Sequence, residues 1–184
     1  MKVPRFTFEK FPGADPSLTT SMKAVGEAMA IGRCFTEALN KALRSIDKPG
    51  AQFHWDGPDP SPEQTRVLVE RAGTATEDRL VRVQQAIRGG AGIDELHAST
   101  GIDPWFLDQM VLLDEVARET IGAPALTGDV LARAKRHGFS DRQIASMRRL
   151  SEDTVREVRG AFGIRPVYKT VDTCAAEFAS RTPY

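Results

Sequence analysis

A chain of 184 residues can bury roughly 70% of its extended-chain surface, so one core forms without disulfide or metal staples. Its 25 basic and 25 acidic side chains cancel, which argues against broad electrostatic capture of nucleic acid or anionic lipid and leaves only local patches open. No apolar run approaches the roughly 18 residues that span a bilayer, and the N-terminus carries no apolar signal segment. The expectation is a cytoplasmic chain with no membrane partner. Cys34 and Cys174, far apart in sequence, read as free thiols.

In chain order, Lys2–Phe11 (KVPRFTFEKF) alternates Phe6 and Phe8 with Thr7 and Glu9, the period of a short strand. Pro4 places it at an edge or a strand start. Pro12-Gly13 and Asp15-Pro16 are turn chemistry. Glu27–Ile31 (EAMAI), bracketed by Gly26 and Gly32, is a second candidate strand. Two short strands do not make an independent sheet, so the apolar side chains here (Phe6, Phe8, Phe11, Met22, Met29) require cover. Cys34–Asp47 then predicts a helix with Phe35, Leu39, Ala42, Leu43 and Ile46 on one face. Lys48–Pro60 (KPGAQFHWDGPDP), with three prolines and two glycines, predicts a loop and the best domain boundary in the chain.

The helical part follows. Ser61 with Gln64 forms a capping box, and Pro62 suits the first helical position. Thr74 with Glu77 offers a second box ahead of Leu80, Val83 and Ile87, and Gly89-Gly90 ends that helix. Ile93–Ser99 predicts a short helical turn. The stretch Asp103–Thr120 is where the core is expected. Phe106, Met110, Leu113 and Ala117 recur at helical spacing, Leu107 and Val111 widen the stripe, and Asp108, Asp114, Glu115 and Arg118 fall largely outside it. Asp103 caps this helix, Pro104 fits its first turn, and Gly122 and Pro124 stop it. Thr127–His137, a third box at Ser140 and Gln143, and Ser151–Gly163 complete the pattern. The fold class expected is mainly α, an orthogonal bundle of short helices with a small extended or β N-terminal segment.

Candidate chemistry is sparse. His54, His97 and His137 share no ligand spacing with one another or with a cysteine, so no metal site is assigned. No glycine-rich phosphate loop occurs, and Asp56 and Asp59 sit in a proline-rich loop without an acid–base framework. No catalytic residue is assigned. Phe139–Ile164 resembles a helix-turn-helix unit: Ile144 and Ala145 stand where its first helix packs, Leu150 and Val155 where its second does. Residues 127–165 hold nine Lys/Arg against five Asp/Glu. Against DNA binding, Arg149 stands where the tight turn takes glycine, and Glu152, Asp153 and Glu157 lie on the helix that would meet phosphates. A helix-turn-helix DNA-binding protein is therefore the alternative, and a protein without a nucleic-acid partner the main reading.

The two ends of the chain carry the specific signal. Pro4–Phe11 (PRFTFEKF), Leu18–Arg33 (LTTSMKAVGEAMAIGR) and Pro166–Phe178 (PVYKTVDTCAAEF) resemble the carbamoyl phosphate synthetase large subunit, and DPWFLDQ and KRHGFSDRQIA resemble it more loosely. The resemblance implies that residues 1–47 end the first ATP-grasp synthetase half, 48–165 form the helical oligomerisation domain, and 166–184 open the second half. Met1 and the end at Tyr184 then suggest an expressed fragment. The parent enzyme would be a ligase that makes carbamoyl phosphate from bicarbonate, glutamine-derived ammonia and two ATP for arginine and pyrimidine synthesis. It uses Mg or Mn and pairs with a small glutaminase subunit. Its nucleotide lobes and metal carboxylates fall outside these 184 residues, so this chain needs no cofactor and is expected to be inactive alone. The same resemblance places Met22 and Glu27, from the family's MKxVGE motif, on the wall of the tunnel that carries carbamate between active sites. It also implies self-association into a homo-oligomer, alongside the rest of the large subunit.

Overall fold

A computed structural model of the chain describes residues 1–11, 13–46 and 48–168. Asp47, Cys174 and all of the Pro166–Phe178 segment beyond 168 lie outside the described residues. The central helix is α5 (Pro104–Gly122), capped by Asp103, whose carboxylate accepts from the Trp105 amide, with Pro104 in the first turn. Packed against it are α1 (Phe35–Ser45), α3 (Arg79–Arg88), α4 (Ile93–Thr100), α6 (Gly128–Arg136) and α7 (Asp141–Arg148). The remaining helices, α2 (Pro62–Ala72) and α8 (Glu152–Ala161), pack on α3 and α7. The architecture is mainly α, eight helices among the described residues with a small N-terminal sheet. No helix among those residues is long and apolar enough to cross a membrane.

The buried face of α5 carries Leu107, Met110, Leu113, Val116 and Ala117. Each large side chain there contributes roughly 1.5–3 kcal/mol by leaving water. This face is rotated from the sequence expectation. Phe106 is 43% exposed, whereas Asp114 is buried. The rotation has a cause in the loop that precedes α2. Phe53 and Trp55 lie at 1% and 5% exposure, inside the core with Phe139, and the Trp55 indole Nε1 donates to Asp114 Oδ1 at 2.9 Å. A buried indole N–H needs an acceptor, and Asp114 supplies it.

The capping boxes at Ser61/Gln64 and Ser140/Gln143 both form. The one predicted at Thr74/Glu77 does not. Helix α3 starts at Arg79 without a side-chain cap, and Glu77 instead holds Lys48 at 2.6 Å. The long-range ion pair outcompetes a local cap at an exposed turn. Leu150, expected to pack, is exposed. It follows Arg149, which closes α7 in the left-handed conformation at φ 55°, and the Leu150 amide donates back to Ala145 O at 2.9 Å. That closure turns the chain outward before Val155 of α8 returns to the core.

The first strand is shorter than predicted. β1 (Lys2–Arg5) pairs antiparallel with β2 (Gly26–Met29), placing Pro4 opposite Glu27. A single 3₁₀ turn follows at Phe8–Lys10, and Phe6 stacks on Phe8 at 5.5 Å. The two strands persist because they lie on α1. Val3 and Ala30 enter the core, and Arg5 Nη1 donates to Ile46 O at 2.7 Å. Phe6 is covered, while Phe11, Met22 and Met29 stay exposed.

Candidate functional site

Met22 and Glu27, the two residues singled out by sequence, both lie on the exposed N-terminal arm. Met22 is 91% exposed. Glu27, in β2, pairs with Lys2 across the sheet at 2.7 Å, both side chains more than half exposed. Val25 and Met29 are exposed on the same strand and its approach. No wall encloses Met22 among the described residues.

The histidines are held locally. His97 Nδ1 lies 2.8 Å from Ile102 O, His137 Nδ1 lies 2.9 Å from Thr36 Oγ1, and His54 pairs with the exposed Asp56 at 3.2 Å. Burial pushes the His137 imidazole below its ordinary value, and the Arg133 charge adds to this. Among the described residues no group of three His, Cys, Asp or Glu could hold a metal ion. Cys34, the exposed residue before α1, is free.

Asp59, expected to be a bare loop carboxylate, belongs to a charged network. It accepts from Arg88 at 3.1 Å and from Arg118 at 2.9 Å, and Arg118 also donates to Asp114 at 2.6 Å. Arg88 further donates to the carbonyls of His54, Gly57 and Pro58. Burial raises the Asp59 carboxyl, but the two guanidinium groups outweigh it and hold it below the usual range. This network pins the loop over α3 and α5. A carboxylate saturated by two arginines is stabilised as the anion and is a poor proton carrier.

Sequence reasoning missed two surfaces. One is an aromatic patch where α1 and α5 begin: Phe35 packs edge-on against Trp105 at 5.6 Å and lies 5.2 Å from Phe106, and both α5 aromatics are exposed. The signal was present as PWF in the first turn, but helical periodicity assigned Phe106 to the core. The other is a basic cleft between α1, the α6–α7 turn and the end of α8. Its cations come from residues up to 132 positions apart, Arg33 to Arg165, so no local motif marks it. Part of its charge is the basic excess over 127–165 that suggested a DNA-binding unit.

That unit is arranged differently from a groove reader. The first turn of α8 presents Glu152 and Asp153, both paired with Arg156, and Arg159 turns away to hold Asp141. The described residues thus define a helical packing domain with an attached two-stranded arm. A family model, the carbamoyl-phosphate synthetase large chain, oligomerisation domain, matches residues 27–163. The chain belongs to this family. Over all 184 residues it is 67% identical to a carbamoyl phosphate synthase large chain of Beutenbergia cavernae, 63% to one of Kineococcus radiotolerans and 60% to one of Streptomyces avermitilis. It spans 16–17% of the length of these relatives. The DNA-binding alternative has no support from these matches.

Proposed function

We propose that this chain is a non-catalytic assembly module of a carbamoyl phosphate synthetase large subunit. Residues 48–165 supply subunit contacts, 1–47 close the upstream ATP-grasp half, and 166–184 lead into the second half. The observation that carries this reading is the family match over residues 27–163. The whole enzyme would act in the cytoplasm on bicarbonate, glutamine-derived ammonia and ATP with Mg or Mn, together with a small glutaminase subunit. The exposed apolar side chains Phe11, Val25, Met29, Trp105 and Phe106 suit a chain that meets other protein surfaces. In sedimentation equilibrium the 184-residue chain is expected to be a homodimer or larger. The double variant Val25→Lys/Met29→Lys, which alters only the exposed arm, is expected to keep that state, because the helical domain makes the contact. A monomer at about 50 µM ends the self-association reading, and a dimer lost only in the double variant assigns the contact to the arm.

In the intact large subunit Met22 and Glu27 line the carbamate tunnel. Their exposure in this chain leaves both side chains available to face another part of that subunit. Glu27→Ala in the full enzyme is expected to reduce overall synthesis more than bicarbonate-dependent ATP hydrolysis, since a leaking tunnel spares the first chemical step. Equal losses in the two assays refute the tunnel role.

A further inference from the structure

The basic cleft encloses about 530 Å³, a size within the range of small-molecule sites. Three cations lie half-buried inside it. Lys41 Nζ holds Glu37 at 2.9 Å, Lys135 Nζ holds Asp141 at 2.9 Å, and Arg159 grips the same Asp141 through Nε and Nη2 at 3.1 and 3.0 Å. Four more guanidinium groups, of Arg33, Arg44, Arg136 and Arg165, stand at the exposed rim and form no ion pair among the described residues. Seven cations therefore face two carboxylates, an excess of five in a molecule whose overall charges cancel.

The cleft is built rather than incidental. Gly138 forms its floor at φ 83°, and a Cβ there would stand 2.9 Å from Glu37 O and 3.0 Å from Asn40 Cβ. The α6–α7 turn can rest on α1 only because residue 138 is glycine. Asn40 and Arg44 of α1 donate to the carbonyls of His137 and Gly138, fixing that turn. Arg159 Nη1 donates to Ile164 O at 2.7 Å and holds the opposite wall. Phe139, Ile164, Pro166 and Val167 add apolar lining.

We propose that this cleft binds a compact polyanion carrying two or more linked phosphate groups. Planar guanidinium forks at a rim match phosphate oxygens, and two linked phosphates can engage several at once. A cleft of about 530 Å³ suits a compact ligand rather than an extended strand. Nothing in this reading depends on the assembly role proposed above.

Calorimetric titration of the 184-residue chain with inorganic tripolyphosphate at about 50 mM salt tests it. One site per chain is expected, with orthophosphate at least about tenfold weaker because it engages fewer guanidinium groups. Arg136→Ala/Arg165→Ala is expected to weaken tripolyphosphate binding by about tenfold or more, with an unchanged urea midpoint because both side chains are exposed. Arg66→Ala/Arg71→Ala on α2 removes the same charge elsewhere and is expected to change binding less than about twofold. Absence of binding by the folded chain overturns the proposal, as do equal losses in the two double variants. Tighter binding of a ten-nucleotide single strand than of tripolyphosphate assigns the cleft to nucleic acid and overturns it as well.

Discussion

Single residues decide how this chain closes its core, and Trp55 is the clearest case. Its ring fills space beside Phe53 and Phe139, and its N–H finds a carboxylate that faces inward for that purpose. Asp114 is shared with Arg118, so the indole and the guanidinium together satisfy it. Trp55→Phe keeps most of the apolar contact and removes the donor. The expected loss is about 1 kcal/mol, with Asp114 retaining Arg118 as partner. A urea unfolding curve reads it, and an unchanged midpoint means that the indole hydrogen bond contributes nothing net. Arg149 offers the opposite test. It is the one non-glycine residue with positive φ among the described residues. The left-handed region costs an L-residue about 1–2 kcal/mol, and glycine relieves that cost while adding chain entropy to the unfolded state. Arg149→Gly is expected to stabilise the chain by about 0.5–1 kcal/mol. Destabilisation of that size would show that the Arg149 side chain makes a contact outweighing its backbone strain.

At the scale of elements, connections between helices are made by charge as much as by apolar packing. Lys135 on α6, Asp141 on α7 and Arg159 on α8 meet in one half-buried cluster. Burial pushes the Asp141 carboxyl up, but the hydrogen bonds from Lys135 and Arg159 outweigh it and hold it below its ordinary value of 3.8. Burial drives the Lys135 ammonium below its ordinary value, against the pull of Asp141. The two shifts act oppositely on stability. A depressed acid stabilises the fold above its unfolded pKa, and that contribution is lost as pH falls through the folded pKa. A depressed lysine opposes folding below its folded pKa, and that cost fades as pH rises toward the unfolded lysine value of 10.5. Removing the acid alone leaves two cations facing each other. Asp141→Asn is therefore expected to cost about 2–3 kcal/mol at pH 7, read by thermal or urea unfolding. A cost below about 0.5 kcal/mol would mean that the cluster is solvated and does not join these helices.

For the molecule as a whole, acid should reveal how many such carboxylates act together. Glu37, Asp59 and Asp141 all titrate below their ordinary values, each raised by burial and brought down further by hydrogen-bonding partners. Asp59 and Asp141 join separate parts of the chain, while Glu37 secures the start of α1. Glu37 accepts from the Arg33 amide and pairs with Lys41, Asp59 bridges the loop to α3 and α5, and Asp141 bridges α6, α7 and α8. Their contribution is expected to be constant above about pH 5 and to fall steeply below the ordinary carboxylate range near pH 4. His137 adds a smaller decline as pH falls through about 6.5, because its folded pKa is lowered and the unfolded chain takes up the proton first. Urea midpoints from pH 8 to pH 3 read both. A midpoint flat down to pH 3 would mean that none of the three carboxylates is held by its partners.

The sequence by itself determined the elements whose causes are local. Ser61, Asp103, Ser140 and Ser151 accept the backbone N–H groups that open α2, α5, α7 and α8, and each partner lies within three residues. The end of α6 has an equally local cause, since Gly138 follows it at φ 83°. The family was legible too, since ordered motifs at Pro4–Phe11 and Leu18–Arg33 carry identity without any contact information. The tertiary structure decided what depends on residues distant in the chain. Trp55 and Asp114 lie 59 positions apart, so nothing local could say that a proline-rich loop enters the core or that a central-helix aspartate faces inward. The same separation hid the cleft. Its arginines and lysines lie on α1, α6 and α8 and beyond, and as a linear pattern they are ordinary solvated charges. Only packing of those helices places them around one cavity, because local propensity fixes where a helix begins and ends while long-range burial fixes which of its faces meet.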